Sequence, residues 1–169
     1  CVASTSDSTS LCHPQVAADG PGWGSVRVSQ SRAVGDGDVD PFCVSVSGSA
    51  GSFLWVTLVW TDPPGSLAAD RALVNDLDLD VIGPDGAVFY GNNLTSQDES
   101  YHRVFRDQFN NAEQIRVPLD TLSTSPAKFL VRVKGFDVPD GYYDADKQKY
   151  ALVISAPSLN VLSVDECLD

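Results

Sequence analysis

The chain has 169 residues, of which 43% are hydrophobic, and its 11 basic and 23 acidic side chains give a formal net charge of −12. This length and composition are typical of one globular domain with its own core, and they argue against a disordered chain. The negative charge argues against nucleic acid or an anionic membrane surface as a partner, because both bind positive patches. No apolar run approaches the ~20 residues of a membrane helix, so we expect no membrane insertion.

In chain order, short segments rich in β-branched and aromatic residues are separated by Pro, Gly and Asp turn signals. The turn Gly83-Pro84-Asp85-Gly86 predicts a hairpin, and residues 54–60 read as a strand covered on both faces. Helical periodicity is nearly absent, with residues 66–72 as the best candidate for a short helix. We therefore predict an all-β fold, an antiparallel β-sandwich or jelly roll with little helix. The predicted strands are residues 42–48, 54–60, 77–81, 88–90, 114–117, 129–133 and 150–155.

The four cysteines, Cys1, Cys12, Cys43 and Cys167, are an even number with long spacings, which favours two disulfides over a zinc site. Three pairings exist, and we favour Cys1–Cys12 with Cys43–Cys167. Free buried thiols in a cytosolic protein are the alternative. Asn93-Leu94-Thr95 is a glycosylation acceptor sequence, so Asn93 is the predicted glycan site. The acidity, the sequon and the cysteine count together favour a secreted protein, extracellular or in the secretory pathway.

The motifs of a hydrolytic active site are missing. The two histidines, His13 and His102, stand in polar segments that carry no catalytic motif, so we interpret both as solvated loop residues. Neither a Gly-x-Ser-x-Gly nucleophile turn nor a phosphate-binding glycine loop occurs. We therefore predict that this chain has no catalytic residue.

Two oxygen-rich segments favour a divalent cation. Asp76, Asp78 and Asp80 alternate with leucines and would lie on one strand face, about 7 Å apart, where their charges repel. Residues 107–113 mix carboxylates and amides in one short loop. Calcium takes 6–8 such oxygens and would relieve the repulsion, whereas neither segment matches the EF-hand pattern. An exposed polar strand face and a polar loop explain the same residues equally well.

Several motifs occur in one order and resemble those of a known family. They resemble the C-terminal β-sandwich domain that follows the catalytic domain in a branch of subtilisin-like serine proteases, the peptidase S8 family. The similarity covers roughly residues 25–156, and the Leu-Val-Asn-Asp-Leu-Asp-Leu segment is its most specific part. Upstream, Gly22-Trp23-Gly24-Ser25-Val26 resembles a run near the end of the protease domain. The other segments are residues 60–65, 73–79, 83–86, 90–93, 110–113 and 150–153.

The resemblance implies residues 1–35 as the end of a subtilisin-like catalytic domain and 36–157 as an accessory β-sandwich. Residues 158–169 are peculiar to this sequence, and we predict a C-terminal tail that the Cys43–Cys167 disulfide tethers. The resemblance also implies a jelly-roll fold with bound calcium in some members, and no catalytic residue here, because the family's Asp, His and Ser motifs are absent from this sequence. Asp80 departs from the family, which has an apolar residue there. The positions that match the family's calcium pattern are Asp76, Asp78, Asn110, Asn111 and Glu113.

Two functions follow from this resemblance. The first is a non-catalytic accessory domain that stabilises or orients a subtilisin-like catalytic domain of the same protein, with calcium holding its loops and Trp23 as a packing anchor. The second is an extracellular glycan- or protein-binding module of a larger structural protein, with Tyr101, Tyr142 and Tyr143 as candidate contact residues. A free-standing hydrolase is a third reading, which the missing motifs disfavour.

Overall fold

The computed structural model describes residues 25–93, 106–119, 125–139 and 146–168, with backbone alone for residues 25–31. Nine strands form two antiparallel sheets packed face to face. The first sheet has the order β1-β8-β3-β6, and the second the order β5-β4-β7-β2-β9. The strands are β1 Ser25–Gly35, β2 Val39–Ser47, β3 Phe53–Trp60, β4 Asp76–Ile82, β5 Val88–Tyr90, β6 Ala112–Pro118, β7 Ala127–Asp137, β8 Lys147–Ala156 and β9 Ser158–Leu162, and a 3-10 turn covers Val164–Cys167.

Alternation along each strand builds the core between the sheets. In β3, Leu54, Val56 and Leu58 are fully buried, while the residues between them face outward. In β7, Phe129 and Val131 meet them from the second sheet as part of the same hydrophobic cluster. Because side chains point to opposite faces with a period of two, each strand supplies one row of this core. The interior is closed by the chain's own residues, which makes the sandwich a folding unit.

The all-β prediction is confirmed, and every strand predicted from the sequence is present; most have longer bounds, β5 has the predicted bounds, and β2 begins earlier and ends one residue earlier than predicted. The short helix predicted at residues 66–72 is wrong, because the chain makes a single turn there, closed by Ala69 N donating to Ser66 O. The sandwich also extends beyond the predicted 36–157. β1 pairs with β8 along its length, and β9 from the predicted tail pairs with β2.

The predicted pairing of Cys43 with Cys167 is present, and it fastens the C-terminal segment to β2. Cys43 is almost fully buried, and β9 runs beside β2 up to the level of Cys43, which faces Leu162. Cys1 and Cys12 lie outside the described residues, so their pairing stays a prediction. Within the described part of the chain, no helix has the length and hydrophobicity needed to cross a membrane.

The outer faces of the two sheets differ in charge. Asp80 on the outer face of the second sheet forms ion pairs with Arg132 and Lys134 from β7. The outer face of the first sheet instead exposes Trp55 and Val59, which are 38% and 40% accessible. The prediction that residues 54–60 are covered on both faces is therefore wrong for the outer face, because no described segment packs over it.

Candidate functional site

The acidic strand β4 is buried on both sides of its sheet. Leu77 and Leu79 face the core, and Asp76 and Asp78, on the opposite face, are nevertheless 0% and 5% exposed. The neighbouring strand β5 has only three residues and pairs with Asp80 to Ile82. It leaves the first half of β4 without a strand partner on that edge, and side chains from other elements close this gap.

Glu113 is the residue that closes the edge of β4. It lies at an inward-facing position of β6 in the first sheet and is 2% exposed. Its carboxyl Oε2 accepts a hydrogen bond of 2.6 Å from the backbone N of Leu79. Gly91 N donates to the carbonyl of the same Leu79 at 2.9 Å. The side chain of Glu113 thus continues the hydrogen-bond ladder where β5 ends, and it joins the two sheets.

Gly91 is a glycine because Glu113 fills the space of its side chain. A Cβ at position 91 would overlap Oε2 of Glu113 and lie 2.6 Å from its Cδ, which real Cβ atoms do not show. The next residue, Asn92, is bonded to β6 in both directions, since its N donates to Gln114 O and its Oδ1 accepts from Gln114 N, each at 3.0 Å. Residues 91 and 92 therefore fix the chain against β6.

We expect Gly91→Ala to lower the free energy of unfolding by about 3 kcal/mol, because it displaces a buried carboxyl from its backbone donor. Gly86→Ala is the matched control, since no atom lies within 4 Å of its would-be Cβ, although its positive φ of 80° adds some strain. Urea unfolding of both variants measures the difference. Equal losses for the two variants would contradict the contact between Gly91 and Glu113.

The oxygens of Asp76 and Asp78 are the unsatisfied polar atoms of this site. Oδ1 of Asp76 and both carboxylate oxygens of Asp78 are buried and have no hydrogen-bond partner among the residues that the structure describes. Two arginines supply the compensating charge. Arg71 Nη1 donates to Asp76 Oδ2 at 3.2 Å, and Arg106 Nη1 lies 2.7 Å from Asp78 Oδ2 without hydrogen-bond geometry. The guanidinium of Arg106 also stacks 4.6 Å from the ring centre of Phe136.

Burial raises the pKa of all three acids of the cluster. The pKa of Asp76 rises from 3.8 to about 6, first through desolvation and then through the charge of Asp78. Desolvation also raises the pKa of Asp78, while Arg106 opposes the rise. The pKa of Glu113 rises to about 9 through desolvation, against the lowering effect of the Leu79 hydrogen bond, and the charge of Asp78 adds to it. Glu113 is therefore protonated at neutral pH.

Asp80 belongs to a different network on the same face. Its Oδ1 accepts a bond of 2.6 Å and its Oδ2 one of 2.9 Å from Arg132, in a bidentate pair, and Lys134 completes the neutralisation. Because its oxygens are engaged, Asp80 does not add a free carboxylate to the Asp76–Asp78 pair. The family that the sequence resembles has an apolar residue at this position, whereas Asp80 forms a salt bridge here.

The loop before β6 is organised around Asp107. Its oxygens accept from Asn92 Nδ2 at 2.6 Å, from Asn110 Nδ2 at 2.7 Å and from the backbone N of Phe109 at 2.9 Å. Desolvation and these hydrogen bonds act in opposite directions, and the bonds hold the pKa of Asp107 below its usual value. The side chain of Asn111 turns away and donates to Trp60 O at 2.9 Å. The loop is thus closed on itself by its own polar groups.

The structure brings together some of the predicted metal residues. Asp76, Asp78 and Glu113 lie close enough for their charges to interact, whereas Asn110 and Asn111 are exposed and bonded elsewhere. Within the described ranges, no three acidic, imidazole or thiol side chains stand in metal-binding geometry. Sequence reasoning missed Arg71, Arg106 and Gly91. The Tyr-Gly-Asn-Asn motif was the signal that could have found Gly91.

Other predicted functional residues fall outside the described part of the chain. These are Trp23, Tyr101, Tyr142 and Tyr143, and the two histidines interpreted as solvated loop residues, His13 and His102, lie outside it as well. The predicted glycan acceptor Asn93 is described and is partly accessible, and its backbone N donates to Tyr90 O at 3.4 Å. Its glycosylation stays a prediction.

Comparison with known proteins gives a partial similarity. No family model matches the chain. It is 37% identical over 87 residues to the serine protease/ABC transporter B family protein tagA of Dictyostelium discoideum, and 36% identical over 93 residues to the protein tagD of the same family and organism. Each match covers 50% of this chain but spans about 5% of the length of the relative. The similarity associates this region with proteins named as serine proteases.

Proposed function

We propose that this chain is a non-catalytic accessory domain of a secreted subtilisin-like serine endopeptidase, which stabilises or orients the catalytic domain. The observation that carries the proposal is the similarity over half of the chain to two long proteins named as serine proteases. The motif series from Trp60 to Val153, which resembles the S8 accessory sandwich, supports it. The Cys43–Cys167 disulfide and the sequon at Asn93 support a secretory route.

The closed sandwich suits such a role physically. Its core of leucines, valines and Phe129 is completed by its own two sheets, so the domain needs no partner to fold. A rigid domain of this kind stabilises a neighbouring domain by burying part of its surface. The free energy of that contact raises the melting temperature of both domains.

The test is made on the whole polypeptide with and without residues 25–169, the full extent of the sandwich. We expect removal of the sandwich to lower the melting temperature of the catalytic domain and to leave its catalytic residues intact, as active-site titration with a serine-directed phosphonate would measure. The 169-residue chain alone should not hydrolyse casein. Phosphonate-sensitive turnover by the chain alone, or a catalytic domain that melts identically without the sandwich, would contradict the proposal.

We further propose that calcium binds at Asp76 and Asp78, with Glu113 beside them. The three buried carboxylate oxygens that lack hydrogen bonds fit a hard cation, which prefers oxygen ligands. When bound, calcium would supply positive charge to carboxylates whose pKa values burial has raised. Asp76 and Asp78 would hold the ion, and the bond from Leu79 N would keep the carboxyl of Glu113 in place beside it.

Arg71 and Arg106 compete with calcium for the same oxygens. Removing the charge of Arg106 leaves Asp78 with only the weaker attraction of Lys134, so we expect Arg106→Gln to raise calcium affinity by about tenfold, measured by titration calorimetry. Arg132→Gln is the matched control, because Arg132 pairs with Asp80 on the same face. Equal affinities for wild type and Arg106→Gln would place calcium away from Asp78.

A further inference from the structure

The outer face of the first sheet is free of carboxylates in a strongly acidic chain. Its four strands contain one acidic residue, Glu113, and that side chain points inward. At outward-facing positions the same strands carry the basic residues Arg116, Lys147 and Lys149, whereas Arg32 turns to Asp40 of the second sheet. The second sheet, by contrast, carries Asp78 and Asp80 on its outer face. The charge asymmetry is therefore built into one face.

The centre of this face is regular and combines exposed nonpolar side chains with uncharged polar ones, such as Thr57, which accepts a hydrogen bond from Gln114. The strand registers place outward-facing residues of β8, β3 and β6 in three rows across the sheet. Trp55 and Val59, both substantially exposed, form its middle column, and Arg116 stacks 5.2 Å from the ring centre of Trp55. The rows are Ser155, Trp55 and Arg116; Val153, Thr57 and Gln114; and Ala151, Val59 and Ala112.

The size of the patch favours a partner within the same polypeptide. With strands about 4.8 Å apart and same-face residues about 6.8 Å apart, nine positions span about 300 Å². A stable complex between separate proteins needs about 800 Å² from each partner, whereas domains of one chain are joined by as little as about 600 Å² in total, or half that from each side. The patch alone is too small for a stable dimer but sufficient for a tethered neighbour.

The position at which the chain enters this sheet also favours a partner that precedes the sandwich. β1 begins at Ser25, which pairs with Ala156, and the next pair, Val26 and Ser155, is in register with Trp55. Two strand spacings, about 10 Å, thus separate the start of β1 from Trp55. Whatever precedes residue 25 enters at the edge of the exposed face, next to its aromatic residue.

We propose that the outer face of the β1-β8-β3-β6 sheet, centred on Trp55 and Val59, docks the domain that precedes the sandwich in the polypeptide. The matching surface presents nonpolar side chains to Trp55 and Val59. This inference rests on the proposed accessory function and identifies the surface through which it acts. The ion-paired outer face of the second sheet remains in solvent.

Cysteine labelling tests this docking face. Val59→Cys and, as a second probe, Val153→Cys are made in the 169-residue chain and in the whole polypeptide, with Val161→Cys as the matched control. Val161 is a valine on the edge strand β9 and is 46% exposed, close to the 40% of Val59. Reaction with a maleimide is followed by mass spectrometry of the peptide that carries each site, with the unsubstituted proteins as blanks.

We expect residues 59 and 153 to react about tenfold more slowly in the whole polypeptide than in the chain alone, because docking excludes the reagent, and residue 161 to react equally in both. Equal rates at 59 and 153 in the two proteins would overturn the inference. Protection that rises with the concentration of the chain alone would also overturn it, by showing that a second copy covers the face. A catalytic domain that loses stability without the sandwich, combined with unprotected residues 59 and 153, would refute this face and leave the accessory function standing.

Discussion

We expect the metal-free protein to lose about 4 kcal/mol of unfolding free energy between pH 5 and pH 8, and the Glu113→Gln variant to lose little of it. Folded Glu113 keeps its proton up to a pKa of about 9, whereas the unfolded chain releases it near 4.5. Between these values the folded state holds one more proton, so each pH unit lowers stability by about 1.4 kcal/mol. The contribution is complete below pH 4.5 and is lost as the pH rises towards 9.

Two other raised pKa values act partly inside this window. The raised pKa of Asp76, about 6, adds a loss of the same sign between pH 3.8 and 6, and the raised pKa of Asp78 adds another loss of that sign above pH 3.8. The lowered pKa values of Asp38, Asp107 and Glu166 act with the opposite sign, and their effect is complete by pH 5. Glu166→Gln is therefore the matched control and should keep the wild-type slope. Urea unfolding at pH 5, 6, 7 and 8 measures how the free energy of unfolding depends on pH. Parallel pH dependences for wild type and Glu113→Gln would show that Glu113 is ionised in the folded state.

We expect the second large change in the free energy of unfolding when the disulfide is removed. The double variant Cys43→Ala, Cys167→Ala should unfold with a free energy lower by about 3–5 kcal/mol, because the bond closes a loop of more than a hundred residues. The sequence separation is 124 residues, and the bond fastens the segment that contains β9 to β2 at the edge of the second sheet. Loss of the bond raises the conformational entropy of the unfolded chain, and it removes the covalent link that holds β9 beside β2.

Two measurements separate these contributions. Denaturant unfolding gives the total loss, and hydrogen exchange of the β9 amides reports whether that strand opens independently of the sheet. Reduction of the wild type serves as the comparison, with Cys1→Ala, Cys12→Ala as the control for the predicted first pair. A double variant as stable as the wild type would mean that the fastening contributes nothing to the folded state.

The fold was largely predictable because its strands carry local signals. The hairpin of β4 and β5 follows from the alternation of Leu77 and Leu79 with aspartates and from the turn at residues 83–86, and its strands pair as expected. β9 was missed, since a five-residue edge strand with few buried side chains has hardly any alternation to detect. β1 was assigned to the lead-in because its motif resembles another domain, and pairing with β8 is a long-range property.

The site was predictable only in part. Spacing places Asp76 and Asp78 on one face, but it says nothing of their burial, which depends on Arg71, Arg106 and the shortness of β5. Glu113 was selected by family resemblance as a ligand. Its hydrogen bond to Leu79 N joins residues 34 positions apart in two different sheets, and no sequence period encodes such a contact.

Thermal melting of the chain in EDTA and in millimolar calcium tests most directly whether the buried carboxylates form a cation site. At a hundredfold excess over Kd, calcium should stabilise the wild type by about 2.7 kcal/mol, raising Tm by about 5–10 °C, and magnesium should do much less. The double variant Asp76→Asn, Asp78→Asn should show no calcium shift, while the control Asp80→Asn, which breaks only the pair with Arg132 and Lys134, should keep it. Identical melting of the wild type in EDTA and calcium would contradict the proposed site.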